Sequence, residues 1–122
     1  MTDLTKPEID FPVGPAPTEL VVEDLRIGDG AEAVPDGAVE VHYVGVEYDT
    51  GAEFDSSWSR GESIQFPLRG LIRGWQEGIP GMRVGGRRQL TIPPELAYGP
   101  AGSANRLSGK TLIFVIDLLD VG

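Results

Sequence analysis

A chain of 122 residues is sized for one domain with one core and needs no covalent staples. It has no cysteine, so disulfides and thiolate metal sites are excluded and a reducing compartment is compatible. Ten Lys and Arg stand against 19 Asp and Glu, a formal charge of −9 that repels phosphate backbones and argues against nucleic acid. No apolar run approaches the ~20 residues of a membrane span. Met1–Pro17 lacks the basic start and apolar stretch of a secretory signal, so the cytoplasm is the default location.

The first segment, residues 1–18, holds Pro7, Pro12, Pro15 and Pro17 with little periodicity. It reads as an extended arm laid along the domain or as a loose tail. Residues 19–122 then form the domain proper, as short strand-like runs separated by Gly and Pro. Leu20–Ile27 is the first, ending at Gly28-Asp29-Gly30. Ala38–Tyr48, rich in Val and Tyr, is the second. Asp49-Thr50-Gly51 predicts a hairpin turn, since Gly supplies the positive φ, and Glu53–Ser57 predicts the return strand. Ile64, Phe66 and Leu68 alternate along a further strand, with Pro67 arguing for an edge or a bulge.

Leu71–Ile79 changes period. Leu71, Ile72, Trp75 and Ile79 fall on one face of a short helix, stopped by Pro80-Gly81. Val84, Leu90 and Ile92 predict another strand, interrupted by Gly85-Gly86. Pro93–Lys110 is the longest irregular stretch, and a loop of that length is usually functional or mobile. Leu112–Leu119 is almost wholly apolar and predicts a central strand covered on both faces. The expected architecture is α+β, an antiparallel sheet wrapped over one short helix.

Most catalytic chemistries find no support. The only histidine, His42, alternates with Val41 and Tyr43 along a strand, and nothing sets it beside Ser56 or Ser57 with an orienting carboxylate. Glu47, Asp49, Glu53 and Asp55 crowd the hairpin without the spacing of a calcium loop and read as a solvated turn. Gly109-Lys110-Thr111 looks like the end of a phosphate loop, but Ala104 stands where its first Gly belongs and a strand follows. Arg83, Arg87 and Arg88 read as a face paired with some of the excess carboxylates. The aromatic set remains: Tyr43, Phe54, Phe66, Trp75, Tyr98 and Phe114. Aromatic residues are more often plain core than site, so spacing alone leaves both readings open. Trp75 between Gly74 and Gly78, and Tyr98 in the long loop, tilt toward a pocket.

Four strings in order carry a family likeness: Val41-His42-Tyr43-Val44-Gly45, Phe54-Asp55-Ser56-Ser57, Ile72-Arg73-Gly74-Trp75-Gln76-Glu77-Gly78 and Ala97-Tyr98-Gly99. With the closing run Leu112–Leu119, the stretch Leu20–Val121 resembles the FKBP-type peptidyl-prolyl cis-trans isomerases. The resemblance implies a twisted sheet curled around a short helix, and a pocket floored by Trp75. Its walls would be Tyr43, Phe54, Ile64, Phe66, Leu71, Ile72 and Phe114, with Leu107 as an apolar contact from the flap of residues 99–110. Ile64 stands where relatives often carry phenylalanine, which thins one wall. Asp55, held by Arg60, and Tyr98 would form the polar edge and act as catalytic groups. The expected activity is rotation of Xaa-Pro bonds in client proteins, assisting folding, by a monomer with no cofactor or metal. Macrolides of the tacrolimus and rapamycin type are expected ligands. A non-catalytic docking module and a chaperone on the same fold are the competing readings.

Overall fold

The computed structural model describes residues 6, 7, 9, 14–99 and 107–121. Six strands form one antiparallel sheet: β1 (Val21–Arg26), β2 (Ala38–Glu47), β3 (Glu53–Ser56), β4 (Ile64–Pro67), β5 (Arg87–Ile92) and β6 (Leu112–Val121). Their order is β1-β5-β6-β2-β3, with β4 pairing the start of β2 beyond β3. A one-turn helix α1 (Ser57–Arg60) follows β3, and α2 (Arg73–Gly78) lies between β4 and β5.

The apolar run that closes the chain becomes β6, paired with β5 on one side and β2 on the other. Successive side chains point to opposite faces of a strand. Leu112, Phe114, Ile116 and Leu118 therefore enter the core beside Val39, Val41, Tyr43, Leu90, Ile92, Trp75 and Ile79. Ile113 and Val115 point outward yet are also buried, as are Val44 and Val46 beside them on β2. Each such aliphatic side chain taken out of water contributes about 1.5–3 kcal/mol. Over this outer face, Lys6, Pro7 and Ile9 border a hollow with Val44 and Val46. Lys6 Nζ pairs with Glu53 at 2.7 Å, and the Tyr48 hydroxyl donates to the carbonyl of Pro15 at 3.2 Å. The rest of the expected arm, residues 1–5, 8 and 10–13, lies outside the described residues.

Helix α2 sits unusually close to the sheet. A Cβ built on Gly74 would meet the Ile92 side chain at 2.5 Å, and one on Gly78 would meet Leu90 at 2.7 Å. The two glycines, four residues apart, form one helix face, so their missing side chains set the depth at which Trp75 is held.

Four expectations change. The return strand ends one residue early: Ser57 begins α1, where Ser56 caps the new helix by accepting from Ser59 N–H at 3.3 Å. The fold thus has two α-helices among the described residues, plus 3-10 turns at Leu68–Gly70 and Pro94–Leu96. Leu68 belongs to the first of these turns, because its N–H bonds to Gly37 O outside the β4 ladder. Val84 is not in a strand: its N–H bonds to Ala31 O, and Gly85 then takes a φ of 94°, which breaks the extended run before β5. The hairpin turn is as expected, with Gly51 at φ 72°, and Pro67 closes the edge strand β4. No helix among the described residues is long and apolar enough to cross a membrane.

Candidate active site

The concave side of the sheet and α2 enclose a cavity of about 200 Å³ lined by Tyr43, Phe54, Asp55, Phe66, Leu71, Ile72, Trp75, Tyr98 and Phe114. Trp75 is its floor. Three rings meet it edge to face: Tyr43 at 5.2 Å and 80°, Phe114 at 5.2 Å and 89°, and Phe66 at 5.8 Å and 89° between centroids. Phe54 packs on Phe114 in the same way at 5.5 Å. Such pairs contribute roughly 0.5–1.5 kcal/mol each beyond their burial, so they fix the ring positions as well as cover them. Gly45 makes room for the last pair: a Cβ there would meet Phe54 at 2.6 Å and Phe114 at 2.8 Å. The Trp75 Nε1–H is shielded and has no partner among the described residues.

One edge of the cavity is polar. The Tyr43 hydroxyl donates to Asp55 Oδ2 at 2.6 Å, and Arg60 Nη1 donates to Asp55 Oδ1 at 2.6 Å. Arg60 Nη2 also donates to the Tyr43 oxygen at 3.0 Å, and its guanidinium lies 5.8 Å from the Tyr43 ring centre. Burial pushes the Asp55 carboxyl up. The hydrogen bonds from Tyr43 and Arg60, with the charge of Arg60, outweigh that and hold it below the usual carboxylate range. Burial and the bond to Asp55 raise the Tyr43 phenol. Asp55 is therefore an oriented anion at neutral pH, with one side still open to solvent.

Of the eleven residues singled out from sequence, nine line this cavity. Ile64 and Leu107 do not: Ile64 packs against the core cluster and Leu107 is buried in it. Ile64 carries no ring to reach the cavity, and Phe66, two residues on along the same face of β4, forms that wall. The flap is described only at its ends, where Gly109 N–H bonds to Gly99 O at 2.7 Å and Ser108 Oγ donates to Tyr98 O at 3.2 Å. Residues 100–106 lie outside the described residues. Ile72 precedes the first turn of α2, and its N–H has no partner among the described residues.

Other candidates resolve into pairs. Arg83, Arg87 and Arg88 meet Glu32, Asp117 and Asp24. Glu47 and Glu53 meet Lys110 and Lys6. His42 stacks on Trp58 at 4.1 Å and 16°, and its Nδ1 lies 2.8 Å from Ser57 Oγ. The sequence put Ser57 in the return strand with nothing to set His42 beside it; the turn into α1 brings the two together and places Trp58 against the imidazole. A larger cavity, about 370 Å³, lies between β4 and the end of β6, lined by Glu40, Asp120 and Phe66 among others. It gathers neither a ring cluster nor a carboxylate held by a cation, so its size does not make it the site.

A cavity walled by edge-on rings, floored by a helix-borne tryptophan and edged by a Tyr-Asp-Arg set is shaped for an apolar ligand with a polar group at its rim. Residues 30–119 match the model of the FKBP-type peptidyl-prolyl cis-trans isomerases, and the chain belongs to that family. It is 69% identical over 116 residues to a probable FK506-binding protein of Corynebacterium glutamicum, covering 95% of this chain and 98% of that one. An FK506-binding protein of Streptomyces anulatus is 51% identical, covering 97% of this chain and 98% of its own. The crystal structure of FkpA from Escherichia coli superposes with a TM-score of 0.76 at 44% identity, over 84% of this chain and 47% of that one.

Proposed function

We propose that the Trp75 cavity is where this isomerase turns Xaa-Pro bonds of client proteins. The observation that carries the reading is the ring-lined cavity with an ionised carboxylate fixed at its edge. The amide C–N bond resists rotation by ~18–20 kcal/mol because resonance gives it partial double-bond character. Left alone, an Xaa-Pro bond isomerises over tens to hundreds of seconds. Rotation needs no nucleophile, metal or cofactor, only a site that binds the twisted amide better than the planar one.

The planar amide is the more charge-separated form. Transfer from water into a cavity of Tyr43, Phe54, Phe66, Trp75 and Phe114 therefore disfavours it relative to the twisted form. Trp75 and its edge-on partners receive the proline ring, with Leu71 and Ile72 closing the side wall. The free N–H of Ile72 holds a substrate carbonyl. Asp55 and the Tyr98 hydroxyl form the edge where the rotating carbonyl lies. A rate gain of ~10⁵ requires about 7 kcal/mol, while one ordinary hydrogen bond contributes on the order of 1 kcal/mol. The effect is thus spread over the site. Arg60 and Tyr43 orient Asp55 and are positioning groups.

The same cavity supports binding of FK506-type macrolides, the ligand in the names of the two relatives above. We further assign residues 19–122 to the isomerase domain and 1–18 to an arm, and place the protein in the cytoplasm as a monomer. The cysteine-free composition, compatible with a reducing compartment, supports that location. NMR exchange on a short Ala-Pro peptide tests the function. Cis and trans signals should exchange faster with the protein present, and rapamycin should abolish the effect. A peptide that binds with no change in exchange would make the protein a docking module instead.

A further inference from the structure

The register of β2 and β3 pairs Val44 with Ser56 and Gly45 with Asp55. Continued by one residue, it would set Tyr43 opposite Ser57. At that point the chain leaves the ladder and turns into α1. The backbone groups of Tyr43 that face the vacated position are nonetheless satisfied by a single side chain. Ser57 Oγ accepts from Tyr43 N–H at 2.7 Å and lies 3.2 Å from Tyr43 O. Ser57 is fully buried, so no water substitutes for it. The third contact is His42 Nδ1 at 2.8 Å. A hydroxyl has one hydrogen and two lone pairs. With the imidazole hydrogen on Nδ1, Ser57 accepts from His42 and from Tyr43 N–H and donates to Tyr43 O. The stack of His42 on Trp58, the next residue of α1, holds the ring in that orientation.

The consequence lies on the other side of Tyr43. Because the chain coils directly after Ser56, Arg60 swings back over the cavity edge and reaches both Asp55 and the Tyr43 hydroxyl. A strand continued through Ser57 would have carried Arg60 away along the sheet. We propose that Ser57 is a positioning residue of the isomerase site: its hydroxyl stands in for strand backbone, and so docks α1 where Arg60 and Tyr43 can orient Asp55. This rests on the reading of the Trp75 cavity as the site of isomerisation.

Ser57→Ala and Ser57→Cys test it, the cysteine keeping the volume with weaker hydrogen bonding. Each is assayed for kcat and KM on an Ala-Pro peptide, alone and with Asp55→Ala. Ser57→Ala should lower kcat/KM about fivefold, the size of one lost hydrogen bond, mainly through kcat. Ser57→Cys should fall between parent and alanine. In the Asp55→Ala background neither change should lower activity further, because the group they orient is gone. Equal losses in both backgrounds, or no loss in either, overturn the proposal. If Ser57→Ala does not melt cooperatively, the cysteine variant carries the comparison. A second readout is independent of turnover: the Asp55 carboxyl titration followed by ¹³C NMR. Its midpoint should rise in both Ser57 variants, and an unmoved midpoint overturns the proposal. A parent protein that turns over no Xaa-Pro peptide refutes the function while leaving this readout intact.

Discussion

Gly74→Ala is the sharpest test of how the fold builds its cavity. In a helix interior the change should help, since alanine is favoured over glycine by up to about 1 kcal/mol. Here the added methyl would meet Ile92 Cγ2, Cδ1 and Cγ1 at 2.5, 2.6 and 2.9 Å. Ile92 is fully buried on β5 and β-branched, so its rotamer has little freedom to retreat. Overpacking of this kind costs about 1–3 kcal/mol. The net expectation is a loss of about 1–2 kcal/mol, or roughly 4–8 °C in Tm for a chain of this size. Gly78→Ala is the internal control. Its nearest atoms are Leu90 Cδ2 and Cδ1 at 2.7 and 2.8 Å, the far end of a more flexible side chain, so the loss should be smaller. Urea denaturation of both variants, with ligand titration of the cavity, checks the pair. A neutral or stabilised Gly74→Ala, or a larger loss for Gly78→Ala, refutes the claim that contact with Ile92 sets the depth of α2.

Asp55→Ala and Tyr98→Phe should each lower kcat/KM partially with the fold intact, because the barrier reduction is spread over many contacts; total loss from either, in a peptide isomerisation assay, would refute the distributed mechanism. The Asp55 carboxyl is held below its ordinary value of 3.8 by Tyr43 and Arg60, so the folded protein binds that proton more weakly than the unfolded chain. Its contribution to stability is then fully present above the ordinary value and lost as pH falls through the lower, folded one. Arg60→Ala should move the acid limb of kcat/KM upward in pH, as read from a pH–rate profile with a parallel stability control; an unmoved limb would exclude Asp55 as the group responsible. Asp117, 1% exposed, is held by Arg87 at 2.7 Å and Arg26 at 3.2 Å. Asp117→Ala takes away the acceptor that the two guanidiniums share and should cost about 1.5–3 kcal/mol, the size of a charge-assisted hydrogen bond, seen as a lower urea midpoint at unchanged slope.

The site was more legible in the sequence than the segments around it. Aromatic identity carries its own signal, and Trp75, Tyr43 and Phe114 sit on elements whose period is plain, so the residues singled out together do line one cavity. Ile64 could not be placed by the same means. A likeness supplies a position, whereas whether a side chain reaches a cavity depends on its length and on its neighbour Phe66. Ser57 was drawn into the return strand because serine has no strong preference, and its effect comes from a hydroxyl competing with backbone. Val84 failed for a related reason. An isolated apolar residue beside glycines has no period, and the 94° φ of Gly85 accompanies a bond from its N–H to Leu118 O, a contact distant in sequence.

The stack of Trp58 on His42 also has a practical side. The chain has two tryptophans. One floors the cavity, and the other, on α1, lies against the His42 imidazole of β2, outside the cavity lining. Indole emission follows the polarity and contacts of its own ring, so the two act as separate optical reporters. Filling the cavity should change Trp75 emission and leave Trp58 as an internal reference, which allows ligand occupancy and the docking of α1 to be followed in one sample without a label.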